Sequence, residues 1–158
     1  MDKLTPKETS KGAEEIVLTQ IKQDFITPAN AIFDYVDMVE KVLNDAELTS
    51  EDEIAQIKSS CNHLIDQYEV AFLQNTGINA ETSKKTPEEY SELRHNLRTP
   101  LNAIIGYSEI LMEDYEDDLE ESALEDFQQI INLARETEKA IEIFVDYIRG
   151  ESIDPNND

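Results

Sequence analysis

Between Tyr90 and Leu111, apolar side chains return at alternating steps of three and four residues: Tyr90, Leu93, Leu97, Pro100, Ile104, Tyr107 and Leu111. That spacing puts them on one stripe of an α-helix, and such a stripe is buried by packing against other helices. Three more segments carry the same spacing. Leu18, Ile21, Phe25, Pro28, Ile32, Tyr35, Val39 and Val42 mark a first helix, and Ile54, Ile57, Cys61, Leu64, Tyr68 and Ala71 a second. Phe127, Ile130, Ala134, Thr137, Ile141, Phe144 and Ile148 mark the last. The fold expected is all-α: an antiparallel four-helix bundle with left-handed packing, made of two helical hairpins.

Local signals set the boundaries. Thr5-Pro6-Lys7-Glu8 can cap a first helix, with Pro6 in its first turn, and Gly12 should fray that start. Asn44 to Thr49 reads as a loop, and Ser50 with Glu53 three residues on reads as a capping box. Gly77 is a candidate helix C-cap. Thr86-Pro87-Glu88-Glu89 is a cleaner helix start, and Glu113 to Asp118 reads as a solvated loop. Gly150 can stop the last helix, with Pro155 in a polar tail. The expected division is a polar segment 1–11, a hairpin 12–76, a linker 77–86, a hairpin 87–150 and a tail 151–158.

Charge narrows the partners. The net charge is −23, from 36 acids against 13 bases, which argues against nucleic acid or an anionic membrane surface. The lone cysteine, Cys61, excludes an internal disulfide and suits the cytosol; it lies on an apolar stripe, where packing outweighs reactivity. No apolar run approaches the roughly 20 residues of a membrane span, and Met1-Asp2-Lys3 does not open a signal peptide. No Cys/His cluster has metal spacing and no Gly-rich loop could cradle phosphate, so neither cofactor nor metal is expected.

His95 stands in the third helix, in the run His95-Asn96-Leu97-Arg98-Thr99-Pro100-Leu101. With Tyr90 counted as a, it falls at f, farthest from the seam. A bundle would hold it rigidly and point it at solvent, where neutral imidazole is a competent nucleophile. Pro100 cannot donate to the carbonyl of Asn96, so a kink is expected within a turn of His95. Arg94 and Arg98 flank the histidine and could stabilise transferring phosphoryl oxygens. Arg98, one turn on, is the better candidate, and Arg94 is expected to pair with an acid of a neighbouring helix. The plain alternative is a solvated surface histidine. His63 falls at c of the second helix and reads as structural or solvated.

This run, with the Asn-Ala-Ile-Ile-Gly that follows, resembles the H-box of the dimerisation and phosphoacceptor (HisKA, or DHp) domain of sensor histidine kinases. The resemblance implies that His95 takes a phosphoryl group and passes it to a response-regulator aspartate. It also implies a departure: the family usually has Glu or Asp after the histidine, and here stands Asn96. In the family that acid assists attack on ATP, and transfer from phospho-aspartate could depend on it less. Thr99 matches the position that orients water for receiver dephosphorylation, which leaves phosphatase chemistry open. The plain reading of Thr99 is a helix threonine bonding back to a carbonyl near the kink.

The first half repeats the second. At an offset of 72, Thr27, Pro28, Asn30, Ala31, Ile32 and Tyr35 match Thr99, Pro100, Asn102, Ala103, Ile104 and Tyr107. The partner helices coincide at an offset of 73. Gln23 stands where His95 should, and Asp24 at Asn96, so the first copy keeps the architecture without an acceptor. In the family, hairpins from two chains form the bundle. Here a short linker joins both, and a monomeric pseudo-dimer is expected.

The leading expectation is a histidine phosphotransfer module of a phosphorelay, similar to sporulation-relay phosphotransferases. Its partners would be a response-regulator receiver and a separate histidine kinase or ATP-binding domain. Only eight residues follow Gly150, so autonomous phosphorylation from ATP is not expected of this chain. The alternatives are a non-catalytic receiver-binding or output-docking domain, and a fragment of a larger histidine kinase.

Overall fold

The computed structural model describes residues 6–80 and 82–150. Within them run four α-helices: α1 Pro6–Asp45, α2 Glu51–Asn75, α3 Pro87–Asp114 and α4 Glu121–Ile148. A single 3-10 turn, Gly77–Asn79, lies in the connection between α2 and α3. Each helix packs mainly against two others, in the cyclic order α1, α2, α3, α4 and back to α1. Short connections make successive helices antiparallel, and the Tyr115 hydroxyl donates to the carbonyl of Thr49, joining the two loops at one end. This is the helical bundle expected from the seams.

All the seam residues named for α2 and α4 are buried. In α1, α3 and α4 the buried stripe is wider than the seam, Ile131, Ala140 and Val145 adding to it in α4. Ala29, Val36 and Leu43 are buried in α1, as are Leu101 and Ser108 in α3. Leu18, Tyr35, Val42, Leu93 and Tyr107 are only half-buried. A helix squeezed between two neighbours covers three positions of each heptad rather than two.

At one height the core is aromatic. Phe25 and Tyr68 stack at 3.6 Å between ring centroids and 3° between planes. Phe144 tilts against Tyr68 at 4.9 Å. Cys61 is buried on the α2 seam as expected, and burial pushes its thiol up to about 12, so it stays protonated at neutral pH.

Several boundaries differ from the sequence reading. α1 begins at Pro6 and runs through Gly12 without a break. One glycine costs about 1 kcal/mol in a helix interior, too little to end a helix of this length. Thr5, the proposed cap, and the tail 151–158 with Pro155 lie outside the described residues. α1 continues to Asp45, so Asn44 is helical, and the chain turns at Glu47 with φ 59°. The Ser50–Glu53 capping box does not form: Ser50, at φ −149° and ψ 13°, makes no side-chain cap hydrogen bond. Its backbone misses the extended geometry that aims a cap hydroxyl at the helix N–H groups. α2 is closed by Thr76, not Gly77. Asn75 Nδ2 donates to the carbonyl of Ala71 at 2.8 Å and Thr76 Oγ1 to that of Phe72 at 2.6 Å, which satisfies the last turn. Gly77, at φ 65°, then opens the 3-10 turn. α3 extends into the acidic run as far as Asp114. α4 stops at Ile148, with Arg149 as its cap and Gly150 following at φ 85°.

Candidate phosphoacceptor site

α3 starts on a complete capping box. Glu89 N–H donates to Thr86 Oγ1 at 3.2 Å, and Thr86 N–H donates to Glu89 Oε1 at 3.1 Å. Pro87 occupies the first helical position, where no N–H is needed. From that start the buried residues Tyr90, Leu97, Pro100 and Leu101 turn α3 so that His95 is exposed.

The helix runs without interruption through Pro100. Pro100 supplies no N–H to the carbonyl of Asn96. Thr99 Oγ1 donates to the neighbouring carbonyl of His95 at 2.9 Å. The Thr99 hydroxyl is therefore turned back onto its own helix. Asn96 lies at the rim of an open groove of about 300 Å³ between α2 and α3, walled by Asp66, Gln67, Val70 and Leu93.

The opposite flank of His95 is ionic. Arg94 Nε lies 2.9 Å from Glu142 Oε2, and Arg94 Nη2 lies 3.4 Å from Asp146 Oδ1. Arg98 Nη2 pairs with Glu142 Oε1 and stands 3.7 Å from Glu138 Oε1. Arg94 thus meets acids of a neighbouring helix, as its place in the heptad suggested. Arg98 does the same, which position b did not reveal. The Arg98 side chain keeps 39% of its surface exposed against 20% for Arg94, so Arg98 is the more accessible cation.

Sequence reasoning missed Glu138, Glu142 and Asp146. The signal was present: three acids at four-residue spacing on α4, facing two arginines at the same spacing on antiparallel α3. Finding it required the pairing register of the two helices.

The first hairpin has another surface. Gln23, Asp24 and Thr27 are exposed on α1, with Gln20 Nε2 donating to Asp24 Oδ1 at 2.6 Å. Lys22 Nζ sits 5.5 Å from the centre of the Phe72 ring. His63 is exposed on α2, away from the core. Among the described residues, no group of three or more His, Cys, Asp or Glu is placed to hold a metal ion, and no helix is long and apolar enough to cross a membrane.

The site therefore presents an exposed imidazole on a fixed helix, one face of which carries two guanidinium groups. Neither the curated proteins nor the solved structures show a significant match to this chain. Residues 88–153, which take in His95, α4 and all of α3 but its first residue, match the family model of the His Kinase A (phospho-acceptor) domain.

Proposed function

We propose that the chain is a phosphotransfer module, with His95 as the residue that carries the phosphoryl group between receiver aspartates. The observation that carries the reading is the exposed His95 within the matched stretch, with half-exposed Arg98 one turn beyond it. An imidazole nitrogen of His95 attacks the phosphorus of an aspartyl phosphate. The N–P bond forms, the P–O bond breaks, and its electron pair leaves with the carboxylate. The second ring nitrogen gives up its proton to water. Asn96 in place of an acid supports a phospho-aspartate donor, because that leaving carboxylate demands less help with the proton than ATP does.

We also infer that the two hairpins are repeats standing in for the two chains of a dimer. In support, burial coincides at the offsets read from sequence. Phe25, Pro28, Ala29, Ile32 and Val39 are buried, as are Leu97, Pro100, Leu101, Ile104 and Leu111. The cyclic order of helices sets α1 diagonally from α3, as a two-fold relation requires. On this reading Gln23 marks the inactive copy, and the chain works as a monomer in the cytosol.

Incubation with phosphorylated receiver domains should give acid-labile phosphate on His95, and none in His95→Gln, whose helicity should be unchanged. Phosphate persisting in His95→Gln would move the acceptor elsewhere, with His63 the next residue to test. Light scattering should give the mass of one chain; a stable dimer at micromolar concentration would replace the pseudo-dimer by pairing between chains.

A further inference from the structure

The ionic flank of His95 has little counterpart in the first hairpin. At the offsets of 72 and 73, Arg98, Glu138 and Asp146 correspond to Ile26, Ile65 and Leu73. Charge survives only at Lys22 for Arg94 and Glu69 for Glu142. Ile26 and Ile65 are half-buried against the core. The two hairpins share their buried positions, so the bundle packs with or without this network. The network accompanies the histidine, not the architecture.

Its geometry favours an exchange. Glu142 bridges the two arginines, one carboxylate oxygen to each. When Arg98 leaves, Glu142 keeps one ion pair, because Arg94 Nε remains 2.9 Å from its Oε2. His95 and Arg98 are three residues apart on one helix, and such side chains are surface neighbours. A phosphoryl group on His95 brings about two negative charges and three strong acceptor oxygens to that place. A guanidinium binds such oxygens through paired N–H groups.

We propose that Glu142 is a positioning residue: it parks Arg98 on α4 until His95 is phosphorylated, and Arg98 then moves from Glu142 and Glu138 to the phosphoryl oxygens. The inference rests on the reading of His95 as acceptor. It adds a built-in response, in which Glu138 and one oxygen of Glu142 are released to the surface of the α3–α4 face when the phosphoryl group arrives.

The test uses the full chain carrying His63→Gln, so that His95 is its one histidine, and potassium phosphoramidate as donor. Imidazole attacks the phosphoramidate phosphorus, the P–N bond breaks, and ammonia leaves. Phosphorus NMR then follows the last ionisation of the phosphohistidine. The charged groups around this place are Arg94, Arg98 and Glu92 on α3, Glu138 and Glu142 on α4, and Asp66 of α2 in the groove beside Asn96. Arg98→Ala should raise the midpoint by about half a pH unit or more, since a nearby cation favours the dianion. Glu142→Gln should lower it, because Arg98 loses its competing partner. Removing a negative charge also lowers the midpoint through space, so the double variant decides. Most of the Glu142→Gln shift should vanish in the Arg98→Ala background. A shift that persists there in full would overturn the proposal and leave Glu142 as a bystander charge. Glu138→Gln, run through the same cycle, gives a milder second test, with circular dichroism confirming helicity for every variant. Absence of phosphohistidine at His95 in the parent chain would instead overturn the acceptor reading itself.

Discussion

Thr99 Oγ1 donates a 2.9 Å hydrogen bond to the carbonyl oxygen of His95, so this hydroxyl, one turn past the histidine, is engaged with backbone. To orient water for receiver dephosphorylation it must first let go. Such a back-bond is worth little in a helix, where it competes with the regular ladder. Thr99→Ala should therefore change stability by less than about 0.5 kcal/mol in urea unfolding. If the phosphatase reading holds, the same variant loses phosphate release from a phosphorylated receiver and keeps phosphorylation of His95.

The two arginines should separate in kinetics. Arg98 keeps twice the exposure of Arg94 and stands one turn from His95. Arg98→Ala should slow single-turnover transfer from a phosphorylated receiver by about tenfold or more, equivalent to about 1.4 kcal/mol of barrier. Arg94→Ala should do less. The melting temperature of Arg98→Ala should barely move, because partly exposed ion pairs such as its own typically contribute about 0–1 kcal/mol. Unchanged transfer in Arg98→Ala would leave both arginines as surface charge.

The aromatic core should behave oppositely. Phe25 is fully buried against Tyr68. Phe25→Ala should cost about 3–5 kcal/mol by urea unfolding, from lost burial and the cavity left behind. His95→Gln, at an exposed position, should cost less than about 0.5 kcal/mol.

The α3 capping box predicts a pH signature. The Thr86 backbone N–H first, then the Thr86 hydroxyl contact and the charge of Lys85, hold the Glu89 carboxyl below the usual glutamate value. A carboxyl depressed in the folded state stabilises fully above its unfolded value, and that contribution is lost as pH falls through the folded one. The urea midpoint of Glu89→Ala should therefore lie below wild type at neutral pH. The gap should close on acidification through the carboxylate range. A gap independent of pH would remove the box as its source.

Much of this molecule is legible in one dimension. The alternation of three and four places α2 and α4 on their buried faces, because helical geometry converts spacing into direction with no partner specified. The Thr86–Glu89 box is local too, since both hydrogen bonds span three residues. His95 is readable as exposed for the same reason: the apolar stripe around it leaves it on the far side. Ser50 and Glu53 offered the same local signal, yet the loop joining α1 to α2 set the Ser50 backbone away from capping geometry. That was decided by where the two helices dock. The burial of Ala29, Val36, Leu101 and Ser108 was likewise decided in three dimensions, because it depends on where the two neighbouring helices dock on α1 and α3. The pairing of Arg98 with Glu138 and Glu142 is the clearest case. Their separation of some forty residues along the chain carries no distance; only the register of antiparallel α3 and α4 brings these charges within reach of one another.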